Sequence, residues 1–474
     1  MSKIFLVAAG MLSPKKTANV FSKKHCYVNY GILRLASVLY ESGFDAIVVQ
    51  GLFYSPEEIV SRLTSLGYHG SEYPVLLSVP TFFAVPWASK FSRLLKALYP
   101  DQCIFVGGRW VVNNRVDWIY SKIPETDLVI CGTSDDYIVD LVTKHNYKFQ
   151  TTNKGNKYLF ANSKMPTSFL RYELLDEAYR FHPSIEISRG CGRGCSFCVE
   201  GRIGLTSLQE PDLVVENLKY LRSLYNHEPF YTYFQASNFC PTQNWASSLH
   251  REYARNELDC LWRCEIRVDT ISPNTLKLLA RSGLRVIDIG LESASRSQLK
   301  RMKKTSDPDS YLEKADMLLK TASESGILTK LNVMLYPGET HETINETISW
   351  LRRRETLIKG VSSGSLILFE TQDKVERAVS EFRSLGTSLA YPEMGDPDGV
   401  FRLNLSDEIS YDVAEEYSSD ICKMFMSDED YFDLKSFCYF PRDYRYVDYR
   451  ADIAATRDET EDGHVFKSRQ AVPA

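Results

Sequence analysis

The chain has 474 residues and a formal net charge of −5, with 44% hydrophobic and 25% charged residues. This composition excludes a disordered chain, and the length exceeds that of one ordinary domain, so two or three domains are expected. The charge supplies no general attraction for nucleic acid or an anionic membrane, and no segment reaches the ~20 apolar residues needed to cross a bilayer. We therefore expect a cytoplasmic protein whose 11 cysteines stay reduced or bind metal instead of forming disulfides.

Residues 1–147 alternate short apolar runs with amphipathic runs, which is typical of a parallel sheet covered by helices. Between two of the predicted strands, Ser55, Pro56 and Glu58 supply an N-cap, a first-turn proline and a capping-box glutamate. Five such units predict an α/β, doubly wound, Rossmann-like domain. Its strands are predicted at 3–8, 45–50, 75–79, 103–106 and 127–130.

Residues 148–183 contain Asn153, Gly155 and Asn156 between β-like stretches and are predicted to form a linker with a hairpin. A second alternating series occupies residues 184–374. Its strands are predicted at 184–188, 230–236, 261–268, 285–291, 328–336 and 364–370. Six units instead of eight predict an open, partial βα barrel, with functional residues at the carboxyl ends of its strands.

The remaining residues lose this alternation. Aromatic residues cluster between 437 and 449, and residues 375–457 are predicted to form a C-terminal cap. The polar and charged residues 458–474 are predicted to be a disordered tail, because they offer little apolar surface to bury.

Three cysteines, Cys191, Cys195 and Cys198, follow the first strand of the second series at C-x3-C-x2-C spacing. Thiolates at this spacing can bind three irons of one cubane, and the glycines around them let backbone N–H groups approach the sulfides. The fourth iron then lacks a protein ligand. A zinc site or three buried cysteines is the alternative, although structural zinc usually has four protein ligands and no fourth Cys or His follows closely.

This motif resembles the signature of the radical S-adenosylmethionine (SAM) superfamily, C-x3-C-x-aromatic-C, with Phe197 as the aromatic residue. The resemblance extends over 184–370, because segments 287–293 and 332–340 resemble the fourth-strand and fifth-strand segments of that family. It implies a [4Fe-4S] cluster on the three cysteines, with SAM bound to the open iron. The predicted SAM contacts are Phe197, Gln235, Arg267, Glu292, Ser293, Asn332 and Tyr336.

Two of the barrel strands depart from this pattern or allow another interpretation. On strand two, relatives often carry an acidic residue before an Asn-Phe pair, whereas residues 231–239 are neutral, so Gln235 or Ser237 would take over polar contacts. On strand three, Arg263, Glu265 and Arg267 alternate and so share one face. A charged row facing into a barrel would be costly unless it bound SAM or substrate, but a solvent-facing edge or mutual ion pairs would also explain it.

A doubly wound domain placed before such a barrel resembles the cobalamin-dependent class of the radical SAM superfamily. Loops at the carboxyl ends of the strands would form the cofactor crevice, where glycines let a flat macrocycle approach. No Asp-x-His-x-x-Gly segment is present, so histidine ligation of cobalt is not expected. A domain that kept the fold and lost the cofactor is the alternative. The cobalamin contacts that this resemblance implies are Tyr30, Ser78, Thr81, Gly107, Gly108 and Gly132.

The resemblance implies reductive cleavage of SAM to a 5′-deoxyadenosyl radical and, with cobalamin, C-methylation of an organic substrate. The alternatives are a cobalamin-independent rearrangement, cyclisation or transfer of another SAM-derived group, and a non-catalytic iron–sulfur redox sensor. The expected partners are a small-molecule or peptide substrate and an electron donor such as flavodoxin or ferredoxin. No membrane partner is expected, and the lack of a basic arm argues against a nucleic acid as partner.

Overall fold

The computed structural model of the protein describes residues 3–14, 20–109, 111–143, 148–392 and 398–459. The chain divides into two compact units. One comprises Met1–Phe181 with Pro397–Val400, and the other comprises His182–Asp396 with Phe401–Ala474. The predicted tail at 458–474 lies almost entirely outside the described residues.

The first unit contains a seven-stranded sheet. Its strands are β1 (Ile4–Ala8), β2 (Ala46–Gln50), β3 (Val75–Ser78), β4 (Ile104–Gly107), β5 (Leu128–Thr133), β6 (Gln150–Thr151) and β7 (Lys157–Asn162). Its helices are α1 (Tyr30–Glu41), α2 (Pro56–Ser65), α3 (Val85–Leu98), α4 (Val116–Lys122) and α5 (Ile138–Thr143).

The strands of this sheet run in the order β2-β1-β3-β4-β5-β7-β6. The first six are parallel and β6 is antiparallel to its neighbour β7. The order β2-β1-β3-β4-β5 is that of a flavodoxin-like doubly wound sheet, which confirms the predicted fold class. The order reverses between β1 and β3, and ligands of such sheets bind at the carboxyl ends of the strands beside that point.

Local chemistry explains where the elements of the first unit begin. All five residues of β1 are buried, as expected for a strand covered on both faces. Ser55 Oγ accepts from the Glu58 N–H at 3.2 Å and Glu58 Oε2 accepts from the Ser55 N–H at 2.6 Å, so the predicted capping box starts α2. The predicted hairpin closes by a hydrogen bond from Thr152 N–H to Asn156 O at 3.0 Å, and it adds β6 and β7 to the sheet.

The second unit is built on a six-stranded, wholly parallel sheet that runs in chain order. Its strands are β8 (Ser184–Glu186), β9 (Tyr231–Gln235), β10 (Leu261–Arg267), β11 (Leu284–Glu292), β12 (Leu328–Leu335) and β13 (Gly360–Ser365). Its helices are α6 (Pro211–Leu224), α7 (Gln243–Arg255), α8 (Pro273–Ala280), α9 (Arg296–Arg301), α10 (Pro308–Glu324) and α11 (His341–Arg352). This is the partial βα barrel that the sequence predicted.

The position of the sixth barrel strand was predicted wrongly. The prediction was 364–370, but β13 spans Gly360–Ser365, and Ile367–Phe369 (β14) belongs to a separate three-stranded sheet. Glycine and serine dominate β13, and their low strand propensity hides it in the sequence. Its pairing with β12, from Gly360 opposite Lys330 to Ser365 opposite Leu335, supplies the stabilisation.

The C-terminal part of the second unit combines the small sheet with four helices. The further elements are α12 (Gln372–Ser380), β15 (Ser388–Leu389), β16 (Val400–Asn404), α13 (Tyr411–Phe425), α14 (Asp428–Ser436) and α15 (Tyr446–Glu459). The predicted aromatic cluster packs partly on itself and partly on the barrel: ring centroids lie 5.0 Å apart for Phe440 and Tyr444, and Phe437 stacks on Tyr231 of β9 at 3.9 Å. Within the described residues, no helix combines the length and apolar character required to cross a membrane.

Candidate functional site

The cysteine loop follows β8 directly and folds back on residues 201–203. The N–H groups of Cys191 and Gly192 donate to Ile203 O at 3.0 and 2.8 Å, and Cys198 N–H donates to Cys195 O at 3.1 Å. Gly190 has φ +74°, and a Cβ there would lie 2.2 Å from Gly204 O. Only glycine therefore permits this turn at position 190.

The side chains of the loop have the chemistry that an iron–sulfur cluster requires. Burial raises the pKa of the Cys198 thiol, and the nearby Cys191 and Cys195 raise it further. Arg267 Nη1 donates to Cys195 Sγ at 3.1 Å, which places a cation beside this sulfur. Three soft sulfur donors with a cationic neighbour fit a cluster of irons.

The zinc alternative requires several ligands grouped around one ion. Across the described ranges, no three His, Cys, Asp or Glu side chains are grouped so that they could hold one ion. Structural zinc needs such a group, whereas in a cubane each thiolate binds a different iron.

The residues predicted to contact SAM converge on the same edge of the barrel sheet. Gln235, Arg267 and Glu292 are the last residues of β9, β10 and β11. Asn332 pairs in register with Gly290 of β11, and Tyr336 follows β12. Because parallel strands end at one edge, these side chains lie around the mouth of the barrel beside the cysteine loop.

An acidic side chain at this edge is held in place by a lysine. Glu292 has φ +67°, and its Oε1 accepts from Lys304 Nζ at 2.9 Å. A Cβ on Gly290 would lie 2.8 Å from that Oε1, so the glycine leaves room for the pair. The neighbouring Ser293 Oγ lies 3.1 Å from Thr347 Oγ1. Lys304 was not predicted, since the contact depends on tertiary packing.

The aromatic side chains form part of the same edge. Phe197 meets Tyr336 edge to face with ring centroids 6.4 Å apart, and Tyr336 meets Phe382 in the same way at 5.6 Å. Tyr336 is 1% exposed, and burial raises the pKa of its hydroxyl. Gln235 Nε2 donates to Ser184 Oγ at 3.0 Å, so this predicted contact already has a protein partner.

The charged residues of β10 do not all follow one of the interpretations offered by the sequence. Arg263 forms an ion pair with Asp288, in which both side chains have no exposed surface. Arg267 pairs with Asp269 at 3.0 Å besides contacting Cys195. Glu265, on the same face, is exposed. Mutual ion pairs thus account for Arg263, while Arg267 reaches the cysteine loop.

Asn238 is a candidate that the sequence analysis passed over. It follows β9, is 1% exposed, and neither Oδ1 nor Nδ2 has a hydrogen-bond partner in the described part of the chain. Buried amides are nearly always hydrogen-bonded, so two unsatisfied atoms at the end of a barrel strand are consistent with a ligand contact. The Asn-Phe pair at 238–239 was the available signal.

In the first unit, the predicted cobalamin contacts lie at the carboxyl edge of the sheet. Ser78 ends β3, Gly107 ends β4, and Tyr30 begins α1. Asn29 caps α1 and its Nδ2 donates to Ser78 Oγ at 3.2 Å, which joins the loop after β1 to the end of β3. Thr81 follows in the same loop as Ser78. This edge, at the point where the strand order reverses, suits a ligand of the doubly wound fold.

Two glycines at this edge are required by the neighbouring backbone. Gly108 has φ +137° and a Cβ there would lie 2.2 Å from Val79 O, while Gly132 has φ +87° and a Cβ would lie 2.2 Å from Ala161 O. Adjacent chain segments therefore explain both glycines without a ligand.

Comparisons with known proteins agree with this geometry. Residues 185–351 match the family model described as the Radical SAM superfamily. No curated protein matches the sequence. Among solved structures, the cobalamin-dependent SAM radical enzyme OxsB with aqua-cobalamin and SAM bound is 14% identical over 92% of this chain and 67% of that chain, with a TM-score of 0.65.

Two further structures show the same fold. The radical SAM methyltransferase TsrM from Kitasatospora setae, with tryptophan and a SAM analogue bound, is 18% identical over 76% of this chain and 72% of that chain, with a TM-score of 0.58. Apo OxsB is 15% identical over 75% of this chain and 52% of that chain, with a TM-score of 0.56. The chain thus corresponds to about half of the length of apo OxsB.

Proposed function

We propose that the chain is a radical SAM enzyme that binds a [4Fe-4S] cluster through Cys191, Cys195 and Cys198, since residues 185–351 match the Radical SAM family model. When bound, the cluster and SAM supply a 5′-deoxyadenosyl radical by electron transfer into the sulfonium carbon–sulfur bond. The observation that carries the proposal is the cysteine loop at the mouth of the barrel, with Arg267 donating to Cys195 Sγ at 3.1 Å.

The chain's own residues would position SAM. Lys304 engages Glu292 Oε1 and leaves Oε2 to accept from the amino group of SAM. Asn238, with both amide atoms unsatisfied among the described residues, would supply a donor and an acceptor. Phe197 and Tyr336 would exclude water from the reacting atoms, because their rings cover the same edge.

Anaerobic reconstitution with iron and sulfide, followed by strong reductant and SAM, tests this function. We expect 5′-deoxyadenosine and methionine in equal amounts from the wild-type chain and neither product from a variant with the three cysteines changed to alanine. Cys422→Ala is the matched control, because Cys422 is a free cysteine outside the loop. A cluster that forms without SAM cleavage would instead indicate the redox-sensor alternative.

We further propose that the first unit binds cobalamin without a histidine ligand and that the enzyme C-methylates an organic substrate. The flavodoxin-like strand order and the open carboxyl edge at Ser78 and Gly107 support this. Cobalamin, when bound, would supply the methyl group. Protein produced with B12 should show the cobalamin absorption spectrum, and Gly107→Trp should abolish it while leaving the iron content unchanged. Absence of the spectrum would favour a cobalamin-independent rearrangement, cyclisation or other group transfer.

The partners that accompany this function are proposals of the same kind. Reduction of the cluster needs a low-potential donor such as flavodoxin or ferredoxin, and reduced thiols in an open cluster loop suit the cytoplasm. The substrate would be a small molecule or peptide. Replacing chemical reductant by reduced flavodoxin in the same assay tests the donor, and the product should form at a comparable rate.

A further inference from the structure

The inner face of the barrel is polar. Residues of β12 alternate between buried and half-buried positions, and Lys330, Asn332 and Met334 occupy the half-buried ones. On β10, Trp262, Cys264 and Ile266 are buried towards the surrounding helices, which leaves the alternate residues to face inwards. The interior therefore contains accessible polar side chains and is not a closed apolar core.

One end of this interior is closed by charges that satisfy one another. Asp288 accepts from Arg263 Nε and Nη2 at 2.5 and 2.6 Å and forms an ion pair with Lys330 at 2.9 Å. Arg263 Nη1 also donates to Phe437 O at 3.2 Å, beyond the end of α14. Asp288 thus contacts both Arg263 and Lys330, and Arg263 also binds the segment after α14, but one carboxylate balances the charge of only one of these two cations.

Glu265 is not committed in this way. It lies on the inner face of β10, is exposed, and has no ion-pair partner within 4.0 Å among the described residues. Tyr233, on the adjacent strand β9, is its hydrogen-bond neighbour. Although its side chain is accessible, the protein atoms around it inside the barrel raise the pKa of the Glu265 carboxyl, and Asp288 raises it further, while Lys330 and Arg263 oppose the rise. A carboxylate in an enclosed space gains most from a cationic partner.

Lys435 is a second charge without a counter-ion, on the closing segment. Its Nζ lies 4.5 Å from the Tyr439 ring centroid, and the Arg263 guanidinium lies 4.7 Å from the same ring. Lys435 is half-buried and has no ion pair in the described part of the chain. Burial, together with Lys330 and Arg263, lowers the pKa of this ammonium group to about 7. An anionic partner would restore its charge.

Two tyrosines in contact with each other lie beside these two charged groups. Tyr233, beside Glu265, and Tyr439, beneath Lys435, have ring centroids 6.2 Å apart at an angle of 90°. A ligand with one charge would satisfy one of the two groups and leave the other unpaired in a confined space, which is unfavourable. A zwitterion would satisfy both without adding net charge.

We propose that the barrel interior binds a free α-amino acid, with its ammonium group on Glu265 and its carboxylate on Lys435. As a substrate site this rests on the proposed function, whereas binding itself requires neither SAM nor reduction. The side chain of the amino acid would extend towards the mouth of the barrel, where the cysteine loop lies. The site names a substrate class for the radical reaction.

Calorimetric titration of the reconstituted full chain with each proteinogenic amino acid, without SAM, tests this inference. At least one should bind, and its methyl ester and its N-acetyl derivative should each bind at least about tenfold more weakly, since each lacks one charge. Binding by none, or equal binding of the amino acid and both derivatives, would overturn the inference.

Two variants assign the charges. Lys435→Met should remove the preference for the amino acid over its methyl ester, and Glu265→Gln should remove the preference over the N-acetyl derivative. Lys219→Met, at a solvent-exposed lysine on α6, should keep both preferences. Thermal unfolding without ligand checks that each variant is folded, and Lys435→Gln and Glu265→Met serve if one is not. If either variant keeps the preference that it is expected to lose, the assignment of the charges is contradicted.

The outcome is separable from the test of the proposed function. Loss of amino-acid binding in a variant that still cleaves SAM to 5′-deoxyadenosine bears only on this site. A wild-type chain that binds the amino acid but never yields 5′-deoxyadenosine contradicts the proposed function and leaves the binding site standing.

Discussion

Arg263 holds Asp288 by two hydrogen bonds, of 2.5 and 2.6 Å, at a position where neither side chain has any exposed surface. The guanidinium of Arg263 and the ammonium of Lys330 keep the pKa of the Asp288 carboxyl well below its usual range. Changing Asp288→Asn would leave buried cationic groups without their counter-charge. We expect a loss of about 3–5 kcal/mol in the free energy of unfolding, measured by urea denaturation.

A solvent-exposed pair supplies the control for this experiment. Asp309 contacts Arg296 at 2.6 Å, and both side chains are 65% exposed. Asp309→Asn should cost at most about 1 kcal/mol, because water screens the pair. Equal losses for the two variants would show that the charges of the barrel interior do not support the fold as described.

Two glycines of the cysteine loop should respond differently to substitution by alanine. Gly190 and Gly194 have similar φ values of +74° and +69°, but a Cβ on Gly190 would lie 2.2 Å from Gly204 O, while nothing lies within 4 Å of one on Gly194. Gly194→Ala should cost only the ~1–2 kcal/mol of left-handed backbone. Gly190→Ala should distort the loop, so most of the iron and sulfide bound after reconstitution should be lost. Similar iron contents in both variants would contradict this view of the loop.

Glu339 should make stability depend on pH. Burial raises the pKa of its carboxyl from 4.5 to about 7, against a hydrogen bond from Thr343. Below about pH 4.5 the group is protonated in both states, and as the pH rises through about 7 the folded state loses a contribution of about 3 kcal/mol. Glu339→Gln should therefore gain stability relative to wild type between about pH 5 and about pH 8, measured by urea unfolding.

The exposed Glu342, in the first turn of α11, is the control residue. Glu342→Gln should follow the wild-type dependence on pH. If the Glu339→Gln and wild-type curves remain parallel from acid to neutral pH, the buried carboxyl does not titrate as argued.

Much of the fold follows from local sequence. The apolar run of β1, the capping box of Ser55 and Glu58, and the cysteine spacing were each visible before the structure, and the structure confirms the first two as elements. Strand β13 was misplaced because the glycines and serines of Gly360–Ser365 have little strand propensity of their own. Its position depends on pairing with β12, which is a tertiary effect.

The residues of the candidate site were likewise predictable only in part. Residues in motifs, such as Cys191 and Glu292, were named from sequence. The contacts that engage them, from Arg267 to Cys195 and from Lys304 to Glu292, link residues 72 and 12 positions apart. These contacts form where strand ends and loops come together in the folded chain, and no periodic pattern in the sequence predicts them.

The central claim is that the cluster on Cys191, Cys195 and Cys198 has one iron open to SAM. Electron–nuclear double resonance of the reduced, reconstituted protein with SAM labelled at its amino nitrogen tests it most directly. We predict a coupling between the cluster spin and that nitrogen, which shows direct ligation to iron. A cluster signal that is the same with labelled SAM, unlabelled SAM and no SAM would contradict the account.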